Sequence, residues 1–173
     1  AISVSIWAKM PAGSTTLKSL ISEDQSGGVL RNWNLFLEYN YLKFLLWNAD
    51  GTYNFIVDTA ASRIQDGNWH HIMFTYDGTA DADGMKLWVD GVNIVSKTAL
   101  STGIRASATT TWVGAASWTG TGWPWDGGID DVAVFNTDKS GSIATIYNSG
   151  KPSDLSAESG LYGYWKFDDA LYD

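Results

Sequence analysis

Cysteine is absent from the 173 residues. Disulfides, thiol nucleophiles and cysteine-ligated zinc or iron–sulfur centres are thereby excluded. Only two histidines occur, His70 and His71, and they are adjacent, so multi-histidine metal sites are excluded as well. Basic residues are few, 11 Lys and Arg against 19 Asp and Glu for a net charge of −8. They are scattered, and without a basic patch the chain has nothing to hold a nucleic-acid backbone. No apolar run reaches the roughly 18 residues of a membrane-spanning helix. Glutamate is confined to Glu23, Glu38 and Glu158, which leaves 16 of the 19 acidic residues as Asp. Glutamate favours helices and aspartate favours turns, so this imbalance predicts a β-rich chain with many loops.

The abundant residues agree. Ten Trp, 8 Tyr and 6 Phe make 14% of the chain aromatic, a load that suits strands and surfaces that stack on flat ligands. Apolar residues at 45% and charged residues at 17% describe a folded chain of one-domain size. Alternation with a period of two dominates. In residues 2–8, Ile2, Val4, Ile6 and Ala8 face one way while Ser3, Ser5 and Trp7 face the other. Further strands are expected at 17–23, 33–39, 41–47, 53–58, 69–76, 85–95, 110–116, 129–136 and 161–167. Turn signals part them: 26–28, 48–51, 66–68, 77–78, 90–91 and 127–128. Asp90-Gly91 within 85–95 is a tight-hairpin signal, and residues 48–52 join a second hairpin. About ten short strands point to an all-β antiparallel sandwich or barrel. One short helix of two to three turns is predicted, capped by Ser140, presenting Ile143, Ile146 and Tyr147 on one face and ending at Gly150. Residues 1–173 read as a single domain with a linker-like stretch at 151–160 and a last strand at 161–168. Ala1 opens directly into a strand pattern, as expected of a chain that begins inside a larger gene product.

Five ordered segments resemble the concanavalin A-like, laminin-G-type jelly-roll superfamily. They are Ile2–Lys9 with its Trp7, Asp66–Gly78 around Trp69-His70-His71, the Lys86–Val92 hairpin, Trp112–Ala115, and Trp125–Asn136 followed by the helix to Asn148. The resemblance implies a jelly-roll β-sandwich with one short helix. Members of that family carry an additional early strand of the type seen here only at Gly163–Asp168. This segment either starts a following copy or supplies the missing strand; the second reading avoids an open sheet edge. Residues 148–155 also resemble such domains in bacteriophage structural proteins.

Jelly-roll glycoside hydrolases need two carboxylates on one strand face. The adjacent Asp130 and Asp131 point to opposite faces, Asp168-Asp169 are likewise adjacent, and Asp81 and Asp83 lie in a loop. A non-catalytic role is expected. The superfamily often carries Ca²⁺ in rim loops, and here Asp77, Asp81 and Asp83 offer donors, with Asp130 as a further candidate; a plain solvated hairpin loop is the alternative. In residues 117–128, Trp125 is expected in the core, while Trp118 and Trp123 are candidates to stack on a sugar or anchor an interface, unless they fold over the sandwich end. Trp33 and Asn34 are expected to line a rim. Trp7, Trp47 and Trp88 face outward on their strands, either in a groove or against covering segments. The resulting expectation is a binding or adhesion module for a glycan or a partner protein. It would sit in a virion (fibre, tail or capsid decoration) or outside the cell, without membrane insertion and with homo-oligomerisation open. A carbohydrate-binding module of a secreted polysaccharide-degrading enzyme and a purely structural assembly module are the alternatives. The negative charge favours a neutral glycan over an anionic surface.

Overall fold

The alternating segments pair into two antiparallel sheets in a computed structural model that describes residues 1–13, 16–25, 30–116 and 122–168. The first sheet has the order β11-β10-β1-β6-β7-β8. Its strands are β1 (Ile2–Lys9), β6 (Trp69–Tyr76), β7 (Met85–Val89), β8 (Val92–Lys97), β10 (Gly128–Phe135) and β11 (Leu161–Trp165). The second has the order β5-β4-β3-β2-β9, built from β2 (Lys18–Gln25), β3 (Leu30–Glu38), β4 (Tyr41–Trp47), β5 (Tyr53–Val57) and β9 (Trp112–Val113). This is an all-β sandwich of the concanavalin A-like type with a single short helix among the described residues. Leu161–Trp165 pairs along β10 as the outer strand of the first sheet.

The core forms where period-two faces meet. Ile2, Val4, Ile6 and Ala8 of β1 point inward with Ile72, Phe74 and Tyr76 of β6. They meet Trp33, Leu35 and Leu37 of β3 and Leu42, Phe44 and Leu46 of β4. Phe44 stacks on Phe74 across the two sheets, ring centres 3.5 Å apart. The hairpin at Asp90-Gly91 forms with positive φ at both residues, 50° and 77°, as a tight turn between right-twisted strands requires. Gly91 answers a second constraint too, since a Cβ there would strike the ring of Tyr147.

The opposite face of β1 is also covered, and this decides where a ligand can reach. Ser3 Oγ donates to the Thr137 carbonyl, and Trp7 stacks on Tyr147 at 6.0 Å. Met73, Ala133, Phe135, Ile146 and Leu155 form a second cluster, with Trp88 against it. The helix and residues 148–160 therefore seal the outer face of the six-stranded sheet. Trp7 and Trp88 are accounted for as packing residues. The outer face of the five-stranded sheet has no comparable cover among the described residues.

Three local expectations are corrected. Ser140 does not cap the helix: its own N–H and Oγ donate to Asp138. A 3₁₀ turn at Ser140–Ser142 then leads into α1 (Ile143–Tyr147). The helix also stops short of Gly150, because Asn148 already adopts the left-handed conformation with φ 48°. The strand expected at 110–116 shrinks to β9, since Gly114 turns the chain with φ 72°.

Candidate functional site

Three consecutive strands build an aromatic floor on the open sheet face. β3 and β4 are joined by Tyr39-Asn40, both with positive φ. β4 and β5 are joined by a loop in which Asp50 Oδ1 accepts from the Thr52 N–H and hydroxyl. These short connections fix the register, so that Asn34 faces Leu45, Phe36 faces Lys43, Leu45 faces Phe55 and Trp47 faces Tyr53. Period-two alternation places this set on the side away from the core. Trp47 meets Tyr53 at 5.0 Å and 49°, and Tyr53 meets Phe55 edge-on at 5.5 Å and 81°. Tyr53 is 50% and Phe55 38% exposed, a large apolar area to leave in water unless something docks on it.

The loop following Gly122 supplies a wall. Trp123 has φ 61°, its carbonyl accepts from Ser19 N–H at 2.8 Å, and its ring stacks over Phe36 at 6.2 Å and 29°. Lys18 on β2 pairs with Asp126 of the same loop at 3.1 Å. The result is a groove of about 360 Å³ lined by Leu17, Asn34, Phe36, Trp47, Tyr53 and Trp123, among others, within the size range of small-molecule sites. Its polar groups are few and placed. Ser19 Oγ donates to Asn34 Oδ1 at 2.8 Å. Arg31 makes a bidentate pair with Asp24 at 2.7 and 3.1 Å, and its guanidinium lies 5.1 Å from the Trp47 ring centre. Glu38 is paired with Lys43 at 2.6 Å. It is the one carboxylate among the described lining residues, so the groove does not present the two carboxylates that glycoside hydrolysis uses.

The structure sorts the sequence candidates. Trp123 and Asn34 meet in this groove. Trp33 does not join this groove: it stacks on Phe44 in the core at 6.0 Å, because its parity on β3 is opposite to that of Asn34. Trp118 lies outside the described residues, as does the turn signal at 26–28. Phe36, Tyr53 and Phe55 were not singled out, although Trp47 was; the signal that finds them is the shared outward parity of three adjacent strands. Trp125 packs against the core and donates to the Gly128 carbonyl.

The acidic candidates do not assemble. Asp77 Oδ1 accepts from Thr79 N–H and Oγ at 2.8 and 2.9 Å, while Asp81 and Asp83 are exposed. Asp130 accepts from the Asp131 N–H. It pairs at Trp7, whereas Tyr76 before the Asp77 loop pairs at Ile2, a separation of about 16 Å along β1 at the usual rise per residue. Among the described residues no three His, Asp or Glu form a metal-holding group, so this donor set does not fit one shared calcium ion.

A second cleft of about 440 Å³ lies at the sandwich edge, with Trp33 and Tyr162 among its lining. Its amide and carboxylate are already engaged: Asn32 exchanges hydrogen bonds with Ser107 and donates to Glu23, which accepts from Thr111. Its lining also holds Asn136, Arg105 and the buried, unpartnered hydroxyl of Thr109.

Residues 1–142 match the laminin-G-type sequence profile of the Concanavalin A-like lectin/glucanases superfamily. The chain belongs to that superfamily. Among solved structures, this superfamily member is similar to a candidate carbohydrate-binding protein from Bacteroides ovatus (TM-score 0.71, 15% identity, 97% of this chain and 46% of that one). It is also similar to the CBM40 of a Ruminococcus gnavus IT-sialidase bound to α2,3-sialyllactose (TM-score 0.64, 17% identity, 83% and 80%). A third is the binding domain of botulinum neurotoxin serotype G (TM-score 0.56, 15% identity, 84% and 35%). At these identities the likeness concerns the fold, and the chain spans less than half of the first and third of these structures. No curated protein matches the sequence. No helix among the described residues is long and apolar enough to cross a membrane.

Proposed function

We propose that this domain is a non-catalytic glycan-binding module whose ligand lies on the open face of the five-stranded sheet. The observation that carries this reading is the groove itself, with rings of Phe36, Trp47, Tyr53, Phe55 and Trp123 around a few fixed polar groups. Aromatic faces take the C–H faces of sugar rings, and side-chain amides meet their hydroxyls. Superfamily membership and solved neighbours named for carbohydrate or receptor binding support it. The virion setting rests on the resemblance of residues 148–155, with a host-surface glycan or another virion subunit as partner. An extracellular module attached to a polysaccharide-degrading enzyme would use the same groove.

The test is an oligo- and polysaccharide panel read by tryptophan fluorescence and affinity electrophoresis. Trp123→Ala is expected to weaken binding about tenfold, equivalent to about 1.4 kcal/mol. Trp118→Ala, run beside it, reports whether the rest of the loop contributes. Chelation of calcium is expected to leave groove binding intact, because its one lining carboxylate already has a cationic partner. Absence of binding to every glycan would leave assembly as the leading role, with oligomer mass the next measurement.

A further inference from the structure

We propose that the cleft at the sandwich edge is a second binding site, separate from the groove, that takes an acidic sugar residue by its carboxylate on Arg105. The chain has three arginines. Two of them hold an aspartate in a bidentate fork, Arg31 with Asp24 and Arg63 with Asp58. The third, Arg105, lines the cleft. Among the described residues its guanidinium has neither an ion pair nor a hydrogen bond. Acidic residues outnumber basic ones 19 to 11, so the empty fork does not reflect a shortage of carboxylates. A ligand carboxylate would take the place that Asp24 and Asp58 take at the other two.

The local structure holds Arg105 ready. Its own N–H donates to the Trp47 carbonyl at 2.8 Å, and Ile104 before it packs against the core. Two residues on, Ser107 N–H donates to Asn32 Oδ1 at 2.9 Å, and Asn32 Nδ2 returns to the Ser107 carbonyl at 3.1 Å. The backbone is thus tied on both sides of the arginine, which lowers the cost of ordering the site around a ligand. Arg105 is half-buried, open to solvent yet partly shielded. A charge-assisted bidentate pair gains strength in such a setting.

The rest of the lining says what carries the carboxylate. Tyr162 is 70% exposed, a ring available to the C–H face of a sugar. Glu23 has no cationic partner, and its oxygens are held by Asn32 and Thr111. It accepts from hydroxyl donors and repels a second carboxylate. A uronate or sialate residue brings one carboxylate, several hydroxyls and a ring face to a cleft of about 440 Å³. An aspartyl or glutamyl side chain brings the carboxylate without the hydroxyls. The net charge of −8 disfavours a polyanion, which points to an isolated acidic residue in an otherwise neutral glycan.

The experiment titrates the whole chain by calorimetry with methyl glycosides of a uronic acid and a sialic acid, their uncharged counterparts, and a glutamate-containing peptide. The acidic glycosides are expected to bind at least about tenfold more tightly than the uncharged ones. Their affinity should fall as NaCl rises from about 0.05 to 0.5 M. Arg105→Gln should abolish the preference, a loss of about tenfold or more. Arg105→Lys should restore part of it, since the charge returns without the fork. Tyr162→Ala should weaken binding about fivefold. Trp123→Ala, which strikes the groove, should leave acidic-sugar binding unchanged. Melting temperatures check that each variant folds. Equal affinity for acidic and uncharged sugars overturns the inference, as does full affinity in Arg105→Gln. Loss of acidic-sugar binding in Trp123→Ala, or equal binding of the peptide, overturns it as well. The groove's own role is read separately, from neutral-glycan binding and its loss in Trp123→Ala.

Discussion

Gly127→Ala is expected to destabilise the domain by about 3 kcal/mol, at the upper part of the range for forced overpacking. It should take glycan binding with it. A Cβ at Gly127 would fall on the carbonyl oxygen of Lys9 and crowd the Trp125 indole nitrogen. The Lys9 oxygen belongs to the β1–β10 ladder, in which Lys9 pairs with Gly128. Unlike a flexible side chain it cannot step aside, so relief must come from the loop before β10. That loop carries Trp123, and its displacement would pull the ring from Phe36 and break the Ser19–Trp123 hydrogen bond. For a chain of this length the melting temperature should fall by about 6–12 °C. A protein that melts as wild type and binds normally would show that the loop absorbs the change without touching the groove. Trp123→Ala provides the contrast, losing affinity with a much smaller loss of stability.

Acidification provides the second large effect. His71 is wholly buried between Trp7 at 5.4 Å and Tyr147 at 5.8 Å. Ser5 Oγ pairs with its Nε2 at 2.9 Å, and Nδ1 has no partner. Burial lowers its pKa to about 4, against the opposing field of Asp90. Unfolding returns it to the ordinary 6.5, so between these values the unfolded chain binds a proton that the folded one refuses. Stability contributed by neutral His71 is complete above pH 6.5 and is lost as pH falls to about 4, a change of about 3 kcal/mol. His70 behaves oppositely. Burial opposes its charge, but hydrogen bonds to Asp90 and Asp66 outweigh this and raise its pKa, so its contribution is lost as pH rises past its raised value. Stability should therefore peak near neutrality. Denaturant titrations at a series of pH values should show the fall below pH 6.5, and His71→Gln should flatten it. Parallel curves for the two proteins would place the acid sensitivity elsewhere.

Much of this was legible in the chain. The alternation in residues 2–8 correctly separates the inward Ile2, Val4, Ile6 and Ala8 from Ser3, Ser5 and Trp7, and the Asp90-Gly91 hairpin forms where its residues demand. Trp123, expected in an aromatic loop, and Asn34, expected beside Trp33 at a rim, both border the groove. That Trp33 packs on the core side was not legible, because parity within a strand says which residues share a face and not which face is inside. The floor of Phe36, Tyr53 and Phe55 was missed for a related reason. It exists only once β3, β4 and β5 are in register, and register is a property of pairs of strands.

The aspartates invite a closing deduction. At Asp50, Asp58, Asp66, Asp77, Asp138 and Asp154 a carboxylate oxygen accepts the backbone N–H two residues on. Each is a local turn lock, and asparagine, with an oxygen in the same place, makes the same lock. Much of the −8 charge is thus a by-product of how the loops are closed, separable from both the fold and the groove. Asp→Asn exchanges at the sites that bear no ion pair, such as Asp50, Asp77 and Asp138, would move the isoelectric point upward while leaving the architecture alone. The surface field of this domain can drift with its surroundings without its shape having to follow.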